Sequence, residues 1–169
     1  MNESGRDNIG KSKMCGSIWK ESRYKLFIKR WGIVIIIEAG YQKLPATENW
    51  DNYIRITDHL YFFSDLLPYP DSQQLVAEEQ ICFCNGLKYV GDQILEALQN
   101  DSCLITLRSA RFSDCCVQEE AFTACAMQWA SEAFGFPMPK FNVWFDSDQP
   151  PCGKYVFDFS SISYDPLKM

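Results

Sequence analysis

Among the side chains of this 169-residue chain, the carboxylates are the best candidates for catalysis or binding. Two neighbouring carboxylates could act as a general acid and base or bind a divalent cation. Each one is also explained by its own predicted position, because Asp114, Glu119 and Glu120 lie where a helix begins, while Asp146 and Asp148 lie in a turn. We therefore assign no catalytic residue and interpret Asp114, Glu119, Asp146 and Asp148 as an acidic partner-binding surface.

One histidine and eight cysteines are the other residues that could carry chemistry. Any Cys-His nucleophilic pair would have to use His59, and no nucleophile motif surrounds it, so we expect a packed structural residue. A zinc ion could be held by Cys82 and Cys84 together with Cys115 and Cys116. Neither pair has the common C-x-x-C spacing, and adjacent cysteines at a helix start point apart. We predict no metal and no cofactor.

The neighbours of the cysteines bear on the redox compartment. Cys82, Cys84, Cys103 and Cys125 stand beside apolar residues, where a thiol packs as a small hydrophobe. The apolar run at residues 33–37 is too short, and too far from the N-terminus, for the core of an export signal. We expect reduced, mostly buried thiols and a cytoplasmic protein.

Charge is unevenly distributed along the chain, whose net charge is −6. Residues 1–56 hold 10 Lys/Arg and 6 Asp/Glu, which gives +4, whereas residues 57–169 hold 6 Lys/Arg and 16 Asp/Glu, which gives −10. Such a chain is a poor candidate for nucleic-acid binding, and no apolar run approaches the roughly 18 residues of a membrane span. An acidic field can instead steer association with a basic protein.

The N-terminal half is predicted to be polar first and then rich in strands. Residues 1–20 lack periodicity and are predicted to be a disordered leader, with a single domain over residues 21–169. Alternation from Tyr24 onwards indicates a half-buried strand, and the β-branched run 33–37 indicates an interior strand. Residues 53–57 alternate again as a third strand, whereas residues 59–67 fit either a strand or a helix.

The C-terminal half shows helical periodicity in two places. Leu87, Val90, Ile94 and Leu98 recur at spacings of three and four, which predicts a helix over residues 85–99. Residues 103–108 are predicted to form a buried strand. A second helix is predicted over residues 115–134, capped by Ser113 or Asp114 and ended by Gly135. Its core-facing residues are Phe122, Cys125, Ala126, Trp129 and Ala133, and its outer residues are Glu120, Thr123, Met127 and Ser131.

Residues 141–145 and 154–159 complete the pattern as a β-hairpin with an acidic, proline-bearing tip. Strands and helices in this order predict an α+β fold: a mainly antiparallel sheet with two principal helices packed on one face.

Part of the chain resembles a family of small acidic bacterial proteins. Over residues 85–159 it is similar to the immunity proteins of polymorphic toxin systems. The resemblance lies in Gly86-Leu87-Lys88-Tyr89, Ile105, the helix Asp114-x-x-x-Gln118-Glu119-Glu120-Ala121 with Trp129, then Phe145-Asp146 and the closing Gly153-Lys154-Tyr155-Val156-Phe157-Asp158-Phe159.

The resemblance implies a cytoplasmic protein without enzymatic activity. Such a protein neutralises a cognate secreted bacterial toxin by binding it stoichiometrically and occluding its active site. Two alternatives remain open at this point: a small cytosolic enzyme with dispersed catalytic residues, and a structural or adaptor subunit of a larger assembly.

Overall fold

The structure, a computed structural model, describes residues 17–44, 50–66 and 71–162. These ranges hold seven strands and three helices, and the predicted α+β class is confirmed. In chain order the elements are β1 (Ile18–Lys29), β2 (Trp31–Lys43), β3 (Ile54–Arg55), β4 (Leu60–Ser64), α1 (Ala77–Tyr89), α2 (Gly91–Ala97), β5 (Cys103–Phe112), α3 (Glu120–Phe134), β6 (Asn142–Asp146) and β7 (Lys154–Asp158).

Five strands form one sheet in the order β1-β2-β5-β4-β3. Neighbouring strands are antiparallel except β4 and β5, which are parallel because the chain returns to the sheet through α1 and α2. The hairpin of β6 and β7 is a separate two-stranded antiparallel sheet. The sheet is therefore mainly antiparallel, as the pattern predicts.

The helices cover one face of the large sheet. Alternate residues Ile33, Ile35 and Ile37 of β2 are fully buried on that face. On the same face, the ring of Phe112 in β5 contacts Phe122 of α3 with centroids 5.1 Å apart. The ring of Phe62 in β4 contacts Phe83 of α1 at 5.4 Å. The two longer helices thus share one face of the sheet, as expected.

Helix α3 is buried almost all round, which differs from the prediction of a single core face. Trp129 and Phe122 are fully buried, as predicted. Thr123, Met127 and Ser131, predicted to lie on an outer face, are buried too. The physical reason is that α1 lies beside α3 and packs against it so closely that a Cβ at Gly86 would overlap the carbonyl of Thr123.

The first predicted helix is wrong in its bounds and in its continuity. Helix α1 begins at Ala77, eight residues before the predicted start, and Val90 separates it from α2. Val90 has φ −113° and ψ 14°, and its N–H donates to the carbonyl of Lys88. The four apolar residues used for the prediction are nevertheless all buried, because the break leaves them on the core side.

The second predicted helix also starts too early. Helix α3 begins at Glu120, with Glu119 in the capping position, so neither Ser113 nor Asp114 caps it. Before it lies a turn in which the N–H groups of Cys116 and Val117 both donate to the carbonyl of Ser113 at 3.0 Å. The predicted end is confirmed: Gly135 has φ 78°, and its N–H donates to the carbonyl of Ser131.

The first strand starts inside the predicted leader. Strand β1 begins at Ile18, and residues 1–16 of that leader lie outside the described residues. The side chain of Trp19 lies over Gly40 of β2, and the Arg108 guanidinium lies 4.2 Å from the centre of its ring. These contacts come from distant parts of the chain, so local periodicity does not reveal this part of the strand.

The remaining strands agree with the pattern in place but not in length. Of predicted strand 53–57, only Ile54 and Arg55 pair with β4. The ambiguous segment 59–67 contains strand β4, and residues 67–70 lie outside the described residues.

Candidate functional site

A polar cleft of about 330 Å³ opens where the N-terminal ends of α1 and α3 meet. Four carboxylates and one ammonium group dominate its walls, which are formed by Glu79, Asp114, Val117, Gln118, Glu119, Glu120 and Lys154. The structure therefore brings together two of the predicted partner-binding residues, Asp114 and Glu119. It adds Glu79, which sequence reasoning missed because the predicted helix began too late to include it.

The two helices that meet at the cleft run in the same direction. The hydroxyl of Thr123 donates to the carbonyl of Cys82 at 2.9 Å, and about one turn further along both helices Gly86 lies against Ala126. Both N-terminal ends, with their partial positive charge, therefore face the same space. This arrangement stabilises the carboxylates gathered there and explains how so much negative charge can be held together.

Glu79 is the least exposed of these carboxylates, with 8% of its surface accessible. Its Oε2 accepts a hydrogen bond from the Val76 N–H at 2.9 Å, which satisfies the start of α1. Burial raises the pKa of Glu79, and the nearby carboxylates of Asp114, Glu119 and Glu78 raise it further. The cleft therefore resists additional negative charge and would gain from a cation.

Asp114 is held in place by a glutamine from the segment before α1. Gln73 donates from Nε2 to Asp114 Oδ1 at 2.8 Å, and its Oε1 accepts from the N–H of Phe112 at 2.8 Å. The carboxylate is thus tied to the end of β5 before any partner arrives.

The β6–β7 hairpin is attached to the edge of this cleft. The side chain of Gln118 bonds to the backbone of Tyr155, and the ammonium of Lys154 lies 3.1 Å from Glu120. Lys154 is also the cross-strand partner of Asp146. The hairpin tip, with the other two predicted residues, is therefore an extension of the cleft.

Asp146 and Asp148 have different surroundings at the tip. Asp146 accepts from the N–H of Asp148 at 3.0 Å and from the side chain of Gln149 at 3.2 Å, so its oxygens hold the turn. Asp148 is exposed. Of this predicted pair, Asp148 is the carboxylate available to a partner.

Trp144 is a second residue that sequence reasoning missed. Its side chain is 48% exposed, and it lies on the same face of β6 as Asp146, two residues away. Its neighbour Phe145 points the other way and packs edge-on against Trp31. The alternation of residues along β6 could have revealed it, because an inward-facing Phe145 requires its neighbour Trp144 to face outward.

The other chemical candidates are not assembled into sites. His59 is exposed rather than packed, and its Nδ1 lies 3.2 Å from the Ser102 hydroxyl oxygen. Cys82 and Cys84 lie two residues apart on helix α1, so their side chains do not share a face. Among the described residues, no three His, Cys, Asp or Glu side chains are grouped to hold a metal ion.

The seven described cysteines are free thiols, and Cys15 lies outside the described residues. Among the described cysteines, Cys103 and Cys125 are buried and the other five are not, so the prediction that most thiols are buried is wrong. Cys115 and Cys152 are exposed, because both lie in turns between regular elements.

In comparisons with known proteins, no family model matches the chain and no curated protein matches its sequence. Within the described part of the chain, no helix is both long and apolar enough to cross a membrane.

Proposed function

We propose that this protein is an immunity protein, which binds a cognate secreted bacterial toxin in the cytoplasm and neutralises it by stoichiometric occlusion of the active site. One observation carries the proposal. The acidic cleft and the acidic hairpin tip are joined through Gln118 and Lys154 into one surface, which we call the acidic face. Its partner is a protein rather than a nucleic acid or a membrane.

Charge supports a basic partner. Four carboxylates and one ammonium group line the cleft, and Asp148 adds a further negative charge at the tip. Arg108 and Arg111, two of the six basic residues after position 56, form ion pairs with Glu38 and Glu21 within the sheet. Toxins that act on nucleic acids need basic active sites, and complementary charge accelerates their encounter with an inhibitor.

The acidic face is also rigidly built. Asp114 is fixed by Gln73, and the hairpin is fixed by Gln118, so little conformational entropy is lost when a partner binds. Trp144 supplies an exposed aromatic side chain beside the carboxylates. Tryptophan is enriched among the residues that dominate binding energy at protein interfaces, so it is suited to anchor the partner.

A second candidate function, that of a small enzyme, is favoured by Glu79. A carboxyl group with a raised pKa, set in a cleft beside other carboxylates, is a common feature of catalytic acids. In that case the protein would catalytically reverse or prevent the effect of the toxin. It would then protect the cell at amounts well below one molecule per toxin molecule.

The stoichiometry of protection distinguishes the two candidates. The product of the neighbouring gene is co-expressed with this protein, co-purified with it, and assayed for toxin activity during titration. Occlusion predicts a stable complex and inhibition that saturates near one-to-one. Absence of a complex, or full protection at substoichiometric amounts, would contradict occlusion, and the second result would support the enzyme.

A further inference from the structure

Two adjacent thiols occupy the turn between β5 and α3. The Sγ atoms of Cys115 and Cys116 lie 3.4 Å apart, and the hydroxyl oxygen of Ser113 lies 3.1 Å from the Sγ of Cys115. The turn is short, since the carbonyl of Ser113 accepts from the N–H groups of both Cys116 and Val117. The backbone therefore holds the two sulfur atoms near each other.

Both thiols can be reached from solvent. Cys115 is exposed, and Cys116 is half-buried in the wall of an open groove of about 340 Å³. Val34 and Ile36 of β2 form much of the groove, and Arg111 of β5 closes it on one side. A small reagent can enter there without any movement of the core.

We propose that Cys115 and Cys116 form a dithiol modification site, which hydrogen peroxide oxidises to a disulfide between the two neighbouring residues. In the first step Cys115 gives its proton to solvent, and its thiolate attacks an oxygen of hydrogen peroxide. An S–O bond forms, the O–O bond breaks, and hydroxide leaves and takes up a proton from solvent. In the second step the Cys116 sulfur attacks the Cys115 sulfenic acid, forming the S–S bond and displacing hydroxide, which takes the Cys116 proton. Two thiols are oxidised, and one peroxide is reduced to two waters.

The surroundings give the two thiols different roles. Hydrogen bonds with Ser113 and Cys116 lower the pKa of Cys115, which favours the attacking thiolate. The hydrogen bond with Cys115 raises the pKa of Cys116, and the nearby Cys115 and Cys152 raise it further. Cys116 therefore keeps its proton until the second step.

Other thiols in the described residues lack this combination. Burial raises the pKa of Cys84 and of Cys103 to about 12, which leaves almost no thiolate near neutral pH. Cys152 is exposed like Cys115, but in the described residues its Sγ donates to the Gly153 carbonyl at 3.9 Å and makes no hydrogen bond with another thiol. It is therefore the matched control for an accessible thiol without a thiol partner.

The disulfide should be reversible. Cα atoms of neighbouring residues lie about 3.8 Å apart, whereas disulfides usually span roughly 4.4–6.8 Å. A bond between Cys115 and Cys116 would therefore be strained, and strained disulfides are readily reduced. A dithiol reductant should restore both thiols.

Peroxide treatment of the full-length protein tests the site without any toxin, so its outcome is independent of the proposed function. Hydrogen peroxide is added in limiting amounts, free thiols are alkylated under denaturing conditions, and peptides are identified by mass spectrometry. We expect the peptide with Cys115 and Cys116 to lose two hydrogen atoms first, roughly tenfold faster than Cys152 reacts. Cys116→Ser should stop at a Cys115 sulfenic acid that dimedone traps, and Cys152→Ser should change nothing.

Three outcomes would overturn the proposal. The first is oxidation of Cys152 at the same rate as the Cys115–Cys116 pair. The second is a disulfide that joins Cys115 or Cys116 to Cys152. The third is a Cys116→Ser variant in which dimedone traps no sulfenic acid at Cys115. Thermal melts of the serine variants establish that each remains folded.

Discussion

The side-chain amide of Gln118 forms two hydrogen bonds with the backbone of Tyr155, accepting from its N–H at 2.7 Å and donating to its carbonyl at 2.8 Å. A neighbouring strand would make the same pair of bonds. Gln118 therefore takes the place of a third strand beside β7, which matters because an isolated two-stranded hairpin is at best marginally stable in water. Together with the Tyr155 hydroxyl, which donates to the carbonyl of Trp31, this residue holds the acidic tip in position.

Replacing this glutamine should loosen the hairpin. Gln118→Ala leaves a backbone N–H and a carbonyl without partners in a half-buried place, at a cost of about 1–3 kcal/mol in the free energy of unfolding. Urea denaturation measures the loss, and hydrogen exchange should quicken in β6 and β7 specifically. Gln93→Ala on the exposed side of α2 is the control, and equal effects from the two variants would refute the role given to Gln118.

Trp129 should contribute strongly to stability. Its ring is fully buried, and its Nε1 donates to the carbonyl of Lys20 at 3.2 Å. Trp129→Ala should lower the free energy of unfolding by about 3–5 kcal/mol through the cavity it creates. Trp129→Phe keeps most of the ring volume and should cost less. A melting temperature for the alanine variant within a degree or two of the wild type would show that the α3 register is wrong.

The raised pKa of Glu79 should make stability depend on pH. Between the unfolded value of 4.5 and the raised folded value, the folded state binds more protons, so the free energy of unfolding from this group falls as pH rises. Glu79→Gln should therefore raise the melting temperature at pH 7, with a gain that vanishes well below pH 4.5. Equal gains at both pH values would mean that removal of charge is not the cause.

Charge reversal on the acidic face should slow association with a toxin. Glu119→Lys with Asp148→Lys is preferred, because the oxygens of Asp146 hold the turn. Stopped-flow binding should show a lower on-rate, by roughly tenfold or more at low salt, with a weaker dependence on ionic strength. Asp92→Lys with Glu96→Lys on α2 changes net charge equally and is the control. Equal slowing by both doubles would mean that net charge, not the acidic face, drives association.

Removal of the exposed tryptophan should act mainly on dissociation. Trp144→Ala should raise the off-rate by a factor that corresponds to about 2 kcal/mol or more, because aromatic anchors are desolvated at the centre of an interface. Ile54→Ala, at another exposed apolar residue, should leave the off-rate unchanged. An unaltered off-rate for the tryptophan variant would place Trp144 outside the interface.

Strands whose two faces differ could be predicted from the sequence alone. Alternation located β1 from Tyr24 onwards and both strands of the hairpin, since burial on one face imposes a period of two. Helix α1 was harder, because its exposed Ile81 and its buried Glu79 both run against an amphipathic pattern. The burial of Glu79 depends on the start of α3, some 40 residues away.

For the same reason, only part of the candidate site could be predicted from the sequence. Acidic residues at the start of α3 and in the tip could be identified locally. That these two groups of residues form one surface could not be predicted. Their proximity depends on a contact between Gln118 and Tyr155, which lie 37 residues apart, and on the parallel packing of two helices. Contacts of this range are set by packing and leave no periodic trace.

The strand order has a consequence for the protein while it is being synthesised. Strand β2 pairs with β5, whose last residue is added 69 residues after Lys43. At about 5–20 residues per second, the ribosome needs roughly 3–14 s to make that stretch. During this time Ile33, Ile35 and Ile37 lie side by side on a nascent hairpin without the strand and helix that later cover them. The growing chain thus exposes an apolar hairpin face for several seconds. Such a face is a binding site for chaperones that act on nascent polypeptides.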